Sequence, residues 1–184
     1  MKYNNYSLME QGVPLYRNIL FLCFLFTFAG CSSSGEIKIN QPLTGTIDHK
    51  EIVALSVAPA DDMDSNDETV KKVILRLKGA LFGRLVSEGV FRQVVHEGDE
   101  AKYILNVKVA GAREVSQGAR IFFGVLAGAN TLVVSVQLND SATPRSPMVD
   151  LVATGESAAH PFSSENDMDD AIREVVDEII LALR

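Results

Sequence analysis

The chain has 184 residues, with 17 basic and 24 acidic side chains, a formal net charge of −7 and 47% hydrophobic residues. That balance argues against a nucleic-acid binder built on lysine and arginine patches and counterion release. The length suits one domain with a core of its own, and the 2 cysteines rule out a disulfide framework.

The first thirty residues stand apart. Lys2 and Arg17 precede an apolar run from Ile19 to Ala29, interrupted only by Thr27 and closing on Ala29-Gly30. A positive start, a short apolar stretch and a small-residue exit are the layout of a secretory signal peptide. A spanning helix needs about 20 apolar residues, roughly twice what this run supplies.

Cys31 follows at once, and Phe28-Ala29-Gly30-Cys31 resembles the lipobox of bacterial lipoproteins, with Phe28 in the place of the usual aliphatic residue. The resemblance implies cleavage before Cys31 and acylation of its thiol and new amino group. At about 0.8 kcal/mol per buried CH₂, one chain holds marginally and two or more hold stably. Serine at position 32, where aspartate is absent, implies export to the outer membrane of a Gram-negative cell, with the domain facing the periplasm from the inner leaflet. Ordinary cleavage nearby, leaving Cys31 a free thiol, is the other reading.

Removing residues 1–30 leaves 154, and because the leader holds Lys2, Arg17 and Glu10, the remainder carries 15 basic and 23 acidic side chains, a net of −8. Cys23 leaves with the leader, so no internal disulfide remains possible. From position 31 to about 50 the chain is polar and punctuated by Gly35, Gly45 and Pro42. This composition predicts a lipidated, flexible tether reaching about 60 Å when extended.

Ordered structure is expected from Glu51 to the carboxyl terminus as a single domain. Ile52, Val53, Leu55 and Val57, closed by Pro59, predict a buried strand. Ser65 and Glu68 have capping-box spacing, after which Val70, Val73, Ile74, Leu77, Leu81 and Leu85 recur at helical intervals until Gly89. Strands follow at "VFRQVV", "YILNVKVAG", "TLVVSVQL" and "MVDLVATGE", the middle two with clear two-residue alternation. Asn166 is placed to cap a last helix striped by Ile172, Val175, Val176, Ile179, Ile180 and Leu183.

The order β-α-β-β-β-β-α predicts an α+β two-layer sandwich, a mixed sheet of about five strands with two amphipathic helices on one face. The strand-helix-strand unit is expected to join parallel neighbours, and the later strands to pair antiparallel.

No stretch specifies a reaction. Asp62, Asp64 and Asn66 alternate like the start of a calcium loop, but its glycine falls at Asp67 and its bidentate glutamate at Val73. His49, His96 and His160 lack metal-ligand spacing. Ser157 lacks a nucleophile elbow, so a hydrolase requires His96 or His160 to meet a serine and a carboxylate from elsewhere in the chain. No catalytic residue, metal or cofactor is therefore expected.

Residues 120–130, "RIFFGVLAGAN", hold nine successive apolar residues from Ile121 to Ala129. One reading is a strand pair or bulge with close backbone approach at the glycines. The other is an exposed apolar loop meeting a membrane or a partner, with Arg120, Phe122, Phe123, Gly124 and Gly128 as contacts. Leu75, Phe82 and Val86 widen the apolar arc of the first helix. The second helix is expected to pack there, a partner groove being the alternative, and Lys71, Lys72 and Arg76 lie opposite as a small basic patch.

The arginine, the Gly-x-x-x-Gly stretch and the strand ending "QLND", all after a helix closing in "SEGVF", resemble the bacterial lipoprotein family called domain of unknown function 4410, over roughly residues 50–183. The order of elements is also similar to periplasmic modules of outer-membrane lipoprotein activators of peptidoglycan synthases, and to the amino-terminal domain of the translocation protein of the Tol system. Those modules bind partners and do not catalyse. The resemblance implies an adaptor or accessory subunit in envelope assembly or maintenance, anchored in the bilayer by Cys31 and contacting an unidentified envelope protein. It does not set the oligomeric state.

Overall fold

The computed structural model describes residues 33–116, 128–158 and 167–184. Two-residue alternation produces six strands: β1 (Ser34–Gln41), β2 (Ile52–Pro59), β3 (Gln93–His96), β4 (Tyr103–Arg113), β5 (Thr131–Asp140) and β6 (Pro147–Glu156). Helices α1 (Glu68–Ser87) and α2 (Asp167–Ala182) complete the domain. The sheet order is β1-β6-β5-β4-β2-β3. Tyr103, Leu105, Val107 and Val109 of β4 and Leu132, Val134, Val136 and Leu138 of β5 are buried against the helices. Val73, Leu77, Leu81 and Leu85 of α1 and Val175, Val176 and Ile179 of α2, with Leu183 just past its end, meet them from above. The architecture is the expected α+β layer pair, with six strands where about five were expected.

The additional strand corrects the tether. Residues 34–41 zip antiparallel onto β6, from Ser34 opposite Glu156 to Gln41 opposite Asp150, with an irregularity after Ile39. Residues 42–50 are docked as well. Thr44 N donates to Met148 O at 2.8 Å, Asp48 N donates to the Tyr103 hydroxyl at 3.0 Å, and Ile47 is buried. Polar composition was a misleading guide because β1 is an edge strand. Glu36, Lys38 and Asn40 face solvent while Ile37 packs on the core, and charged edges guard against further strand addition.

The crossover holds, since β2 and β3 pair in parallel from Ile52 opposite Gln93 to Leu55 opposite His96. The next connection departs from expectation. β4 does not fold back on β3 but runs parallel to β2 on its other side, Val53 opposite Tyr103. A parallel return normally needs a long crossover, yet residues 97–102 suffice because β3 is only 4 residues long. β4, β5 and β6 then pair antiparallel as expected.

Both ends of α1 have a local cause. Asp67, and not Ser65, is the N-cap, its side chain accepting from Thr69 N at 2.7 Å. Gly89 takes φ +68°, and Gly89 N and Val90 N donate to Val86 O and Leu85 O, the paired bonds of a Schellman stop. Asn166 lies outside the described residues.

Gly35 and Gly155 are paired across β1 and β6, and α2 lies directly on them. A Cβ at Gly155 would stand 2.1 Å from Ala171 O, and one at Gly35 would stand 2.9 Å from Glu178 Cγ. By contrast, a Cβ at Gly79 in α1 would meet nothing within 4 Å. Gly155→Ala is therefore expected to cost at least about 2 kcal/mol by overpacking. Gly79→Ala is expected to add about 0.5–1 kcal/mol through helix propensity and a restricted unfolded chain. Urea midpoints of the two variants check both signs.

Candidate interaction surfaces

Three places on the domain carry groups not used up by the core. The first is the sheet end where β4 leaves and β5 begins. Asn130 is buried there, and Oδ1 accepts from Val115 N at 2.7 Å. Its own N–H donates to Ser157 Oγ at 3.0 Å, while Ser157 N donates to Asn130 O at 2.9 Å. One asparagine thus ties both arms of the β4–β5 connection to the exit of β6. Gly128, half-buried at φ +87°, sits where a Cβ would be 3.6 Å from Arg113 Nη2. Of the proposed contact residues, Gly128 alone is described here; Arg120, Phe122, Phe123 and Gly124 lie outside the described residues, as does Cys31.

The second place is the outer face of α1. Leu75 is 74% exposed and Val86 42% exposed, with exposed Gly79 and Gly83 on the same helix. The half-buried Phe82 ring meets His96 at 5.8 Å between centroids. The second helix does not cover this line, contrary to expectation. It lies instead along Arg76, Ala80 and Arg84, where Arg84 Nη2 reaches Asp177 Oδ1 at 2.7 Å and Arg76 Nη1 reaches Asp169 Oδ1 at 3.4 Å. Arginine stems cover apolar surface while their heads find carboxylates on α2. The basic patch is partly spent in this way, since Lys71 also pairs with Glu68 at 2.9 Å.

The third place is an open depression of about 430 Å³ on the sheet face away from the helices, under the β3–β4 link. Ala54, Ser56 and Ile104 form its floor, and Glu97, Asp99 and Glu100 stand at its rim. Ser56 Oγ donates to Glu97 Oε2 at 2.7 Å. His96 does not join that pair, because its ring turns to Phe82 on the helix side. Nor does it meet Ser157, since β5, β4 and β2 lie between them in the sheet, about 19 Å at the usual strand spacing. His49 Nδ1 is engaged with Val90 O at 2.9 Å, and His160 lies outside the described residues. Among the described residues no group of three or more His, Cys, Asp or Glu side chains could hold a metal ion. Asp64 and Asp67 instead accept from backbone N–H groups of their own turn.

Beside the depression, Lys102 Nζ meets Asp140 Oδ2 at 2.6 Å. The Lys102 hydrogen bond, reinforced by Ala142 N, holds the Asp140 carboxyl below its ordinary 3.8. The same bond raises the Lys102 ammonium above 10.5.

The fold and its surfaces have relatives. The model of the family described as domain of unknown function (DUF4410) matches residues 36–168. The chain belongs to this family. No curated protein matches it. Among solved structures it is similar to the PelC dodecamer of Paraburkholderia phytofirmans, with 16% identity, a TM-score of 0.55, and 81% of this chain and 96% of that one covered. A second PelC dodecamer, a single-residue variant, gives 15% identity and a TM-score of 0.53 over the same shares. A Caulobacter crescentus CB15 protein assigned as a lipoprotein shares 20% identity at a TM-score of 0.34, covering 70% of this chain and 86% of that one. At these identities the likeness to PelC is one of fold. The family match begins at Glu36, inside β1, so this DUF4410 domain includes the strand that composition alone assigned to a tether.

Two predictions follow from the geometry. Ser157→Ala removes the buried acceptor of Asn130 N and is expected to lower stability by about 1–3 kcal/mol, read from chemical denaturation. The Lys102–Asp140 pair contributes above the ordinary carboxylate range, and its contribution falls as pH drops through the lowered Asp140 value. On the alkaline side it is fully present below 10.5 and is lost as pH rises from there through the raised Lys102 value. Because both groups are solvent-accessible the effect is small, and Asp140→Asn is expected to flatten the acid limb of a stability-versus-pH curve.

Proposed function

We propose that this protein is a bacterial lipoprotein, anchored through acylated Cys31 to the inner leaflet of the outer membrane, whose periplasmic domain acts without catalysis as an adaptor or accessory subunit in envelope assembly or maintenance. The anchor is read from Phe28-Ala29-Gly30-Cys31 and the sorting from Ser32. The adaptor role is supported by one observation, the exposed Leu75 and Val86 on the outer face of α1, on either side of the half-buried Phe82, since exposed apolar side chains grouped on one face mark contact sites. PelC assembles as a dodecamer on this fold, so a second copy ranks among the partners to test.

A hydrolase would need a serine, a histidine and a carboxylate in one cleft, and the separation of Ser157 from His96 speaks against that pair. Insertion of the 121–129 segment into lipid is the other rival.

The test compares wild type with Cys31→Ser by intact mass and membrane fractionation, followed by crosslinking. The expected outcome is a mature form beginning at acylated Cys31 in the outer membrane, released by Cys31→Ser, with a reproducible crosslinked partner that Leu75→Glu or Val86→Glu removes. An unmodified Cys31 would defeat the anchor, and a phenotype abolished by His96→Ala or His160→Ala in a folded protein would favour the hydrolase.

A further inference from the structure

We infer that the domain is held end-on to the lipid surface, with the sheet end bearing Ser34, Arg113, Thr131 and Glu156 toward the bilayer. The inference rests on the lipoprotein reading of Cys31, and goes beyond it by assigning which surface faces lipid and which faces the compartment.

The register defines that end. Ser34 is opposite Glu156, Glu156 is opposite Thr131, and Thr131 is opposite Arg113, so the first residue of β1 lies in the terminal row of the sheet. The residue before it is also secured. Ser33 Oγ donates to Glu174 Oε1 at 2.5 Å and accepts from Arg173 Nη2 at 3.3 Å, which ties it to α2. Two residue steps from Ser33 reach Cys31, a leash of at most about 7 Å. A compact domain of roughly 150 residues has a radius of gyration near 15 Å. The leash is shorter than the body it holds, so the attached end stays at the headgroups. A flexible run to position 50 would have let any face approach.

Charge does not supply the contact. Glu114 and Glu156 at that end are exposed, and Asp169 is half-exposed beside Arg76. Exposed Arg113 and Arg173 stand at the same end and offset those carboxylates, Arg173 meeting Asp170 at 2.8 Å, so no patch of one sign draws that end to lipid and the covalent chains set the orientation. The opposite end then points into the compartment. It carries Lys102, Asp140 and the depression rimmed by Glu97, Asp99 and Glu100, and β4 spans 11 residues between the two ends, about 35 Å.

The experiment uses the full acylated protein in phosphatidylethanolamine and phosphatidylglycerol vesicles containing lipid with a headgroup spin label. A fluorophore is placed in turn at Glu156→Cys, Asn40→Cys and Thr143→Cys, all exposed positions. Quenching at Glu156 is expected to exceed that at Thr143 by about threefold or more, given the length of the sheet, with Asn40 between them. A flexible insert of fifteen Gly and Ser residues before Ser33, spanning about 20 Å, is expected to level the three signals. Equal quenching at Glu156 and Thr143 in the wild-type protein would overturn the inference. So would quenching at Asn40 as strong as at Glu156, which would lay the β1 edge on the membrane. Protein that fails to stay with the vesicles, or whose mass shows no acyl chains, defeats the lipoprotein reading itself and is recognised before any quenching is read.

Discussion

The close approach of α2 to the paired Gly35 and Gly155 is the constraint on which the other features depend. With no side chain at Gly155, the Ala171 carbonyl descends nearly onto the sheet, and Val175, Val176 and Ile179 bury fully behind it. At Gly35 a Cβ would meet the Glu178 side chain rather than the helix backbone, and β1 lies beneath the same helix, paired to β6. There Ser33 comes within reach of Glu174 and Arg173. The docking of β1 therefore leaves only two residue steps between Cys31 and the secured Ser33.

The two ends of the sheet are built differently as a result. At the β1 entry end, Asn130 and Ser157 bind three chain segments through buried hydrogen bonds, a geometry with little freedom because each buried polar group must keep its partner. At the other end the short β3 permits a six-residue return across β2, held by a solvent-accessible serine–carboxylate bond and the Lys102–Asp140 pair. Between them, on the side of α1 away from α2, the exposed Leu75 and Val86 form a surface that nothing else in the described domain covers. The same layer pair in PelC, at 16% identity, shows that this arrangement tolerates wide change in sequence, and fold alone does not carry function with it.

Periodicity made much of this legible. The α1 and α2 stripes, the alternation in β4 and β5 and the helix stop at Gly89 are all local patterns in which backbone geometry repeats faster than tertiary context varies, and the parallel β2–β3 pair follows from the strand-helix-strand succession. The family resemblance was equally visible, because it depends on a few residues in fixed order. The alternation Glu36-Ile37-Lys38-Ile39-Asn40 was also present; averaging it into a polar segment concealed it.

What tertiary structure alone decided are choices between locally equivalent options. A strand with one apolar face does not state which neighbour it joins, and so β4 beside β2, and β1 beside β6, follow from how the whole sheet closes its core. A helix with a broad apolar arc does not state which flank its partner takes. Here carboxylates on α2 matched Arg76 and Arg84, leaving Leu75 and Val86 in solvent. The sequence by itself determined the periods, the stops, the charge and the family resemblance, because those are set by residues in fixed order along the chain. The other strand pairings, helix placement and the docking of β1 were decided by contacts between distant residues, whose energies exist only once the chain has folded.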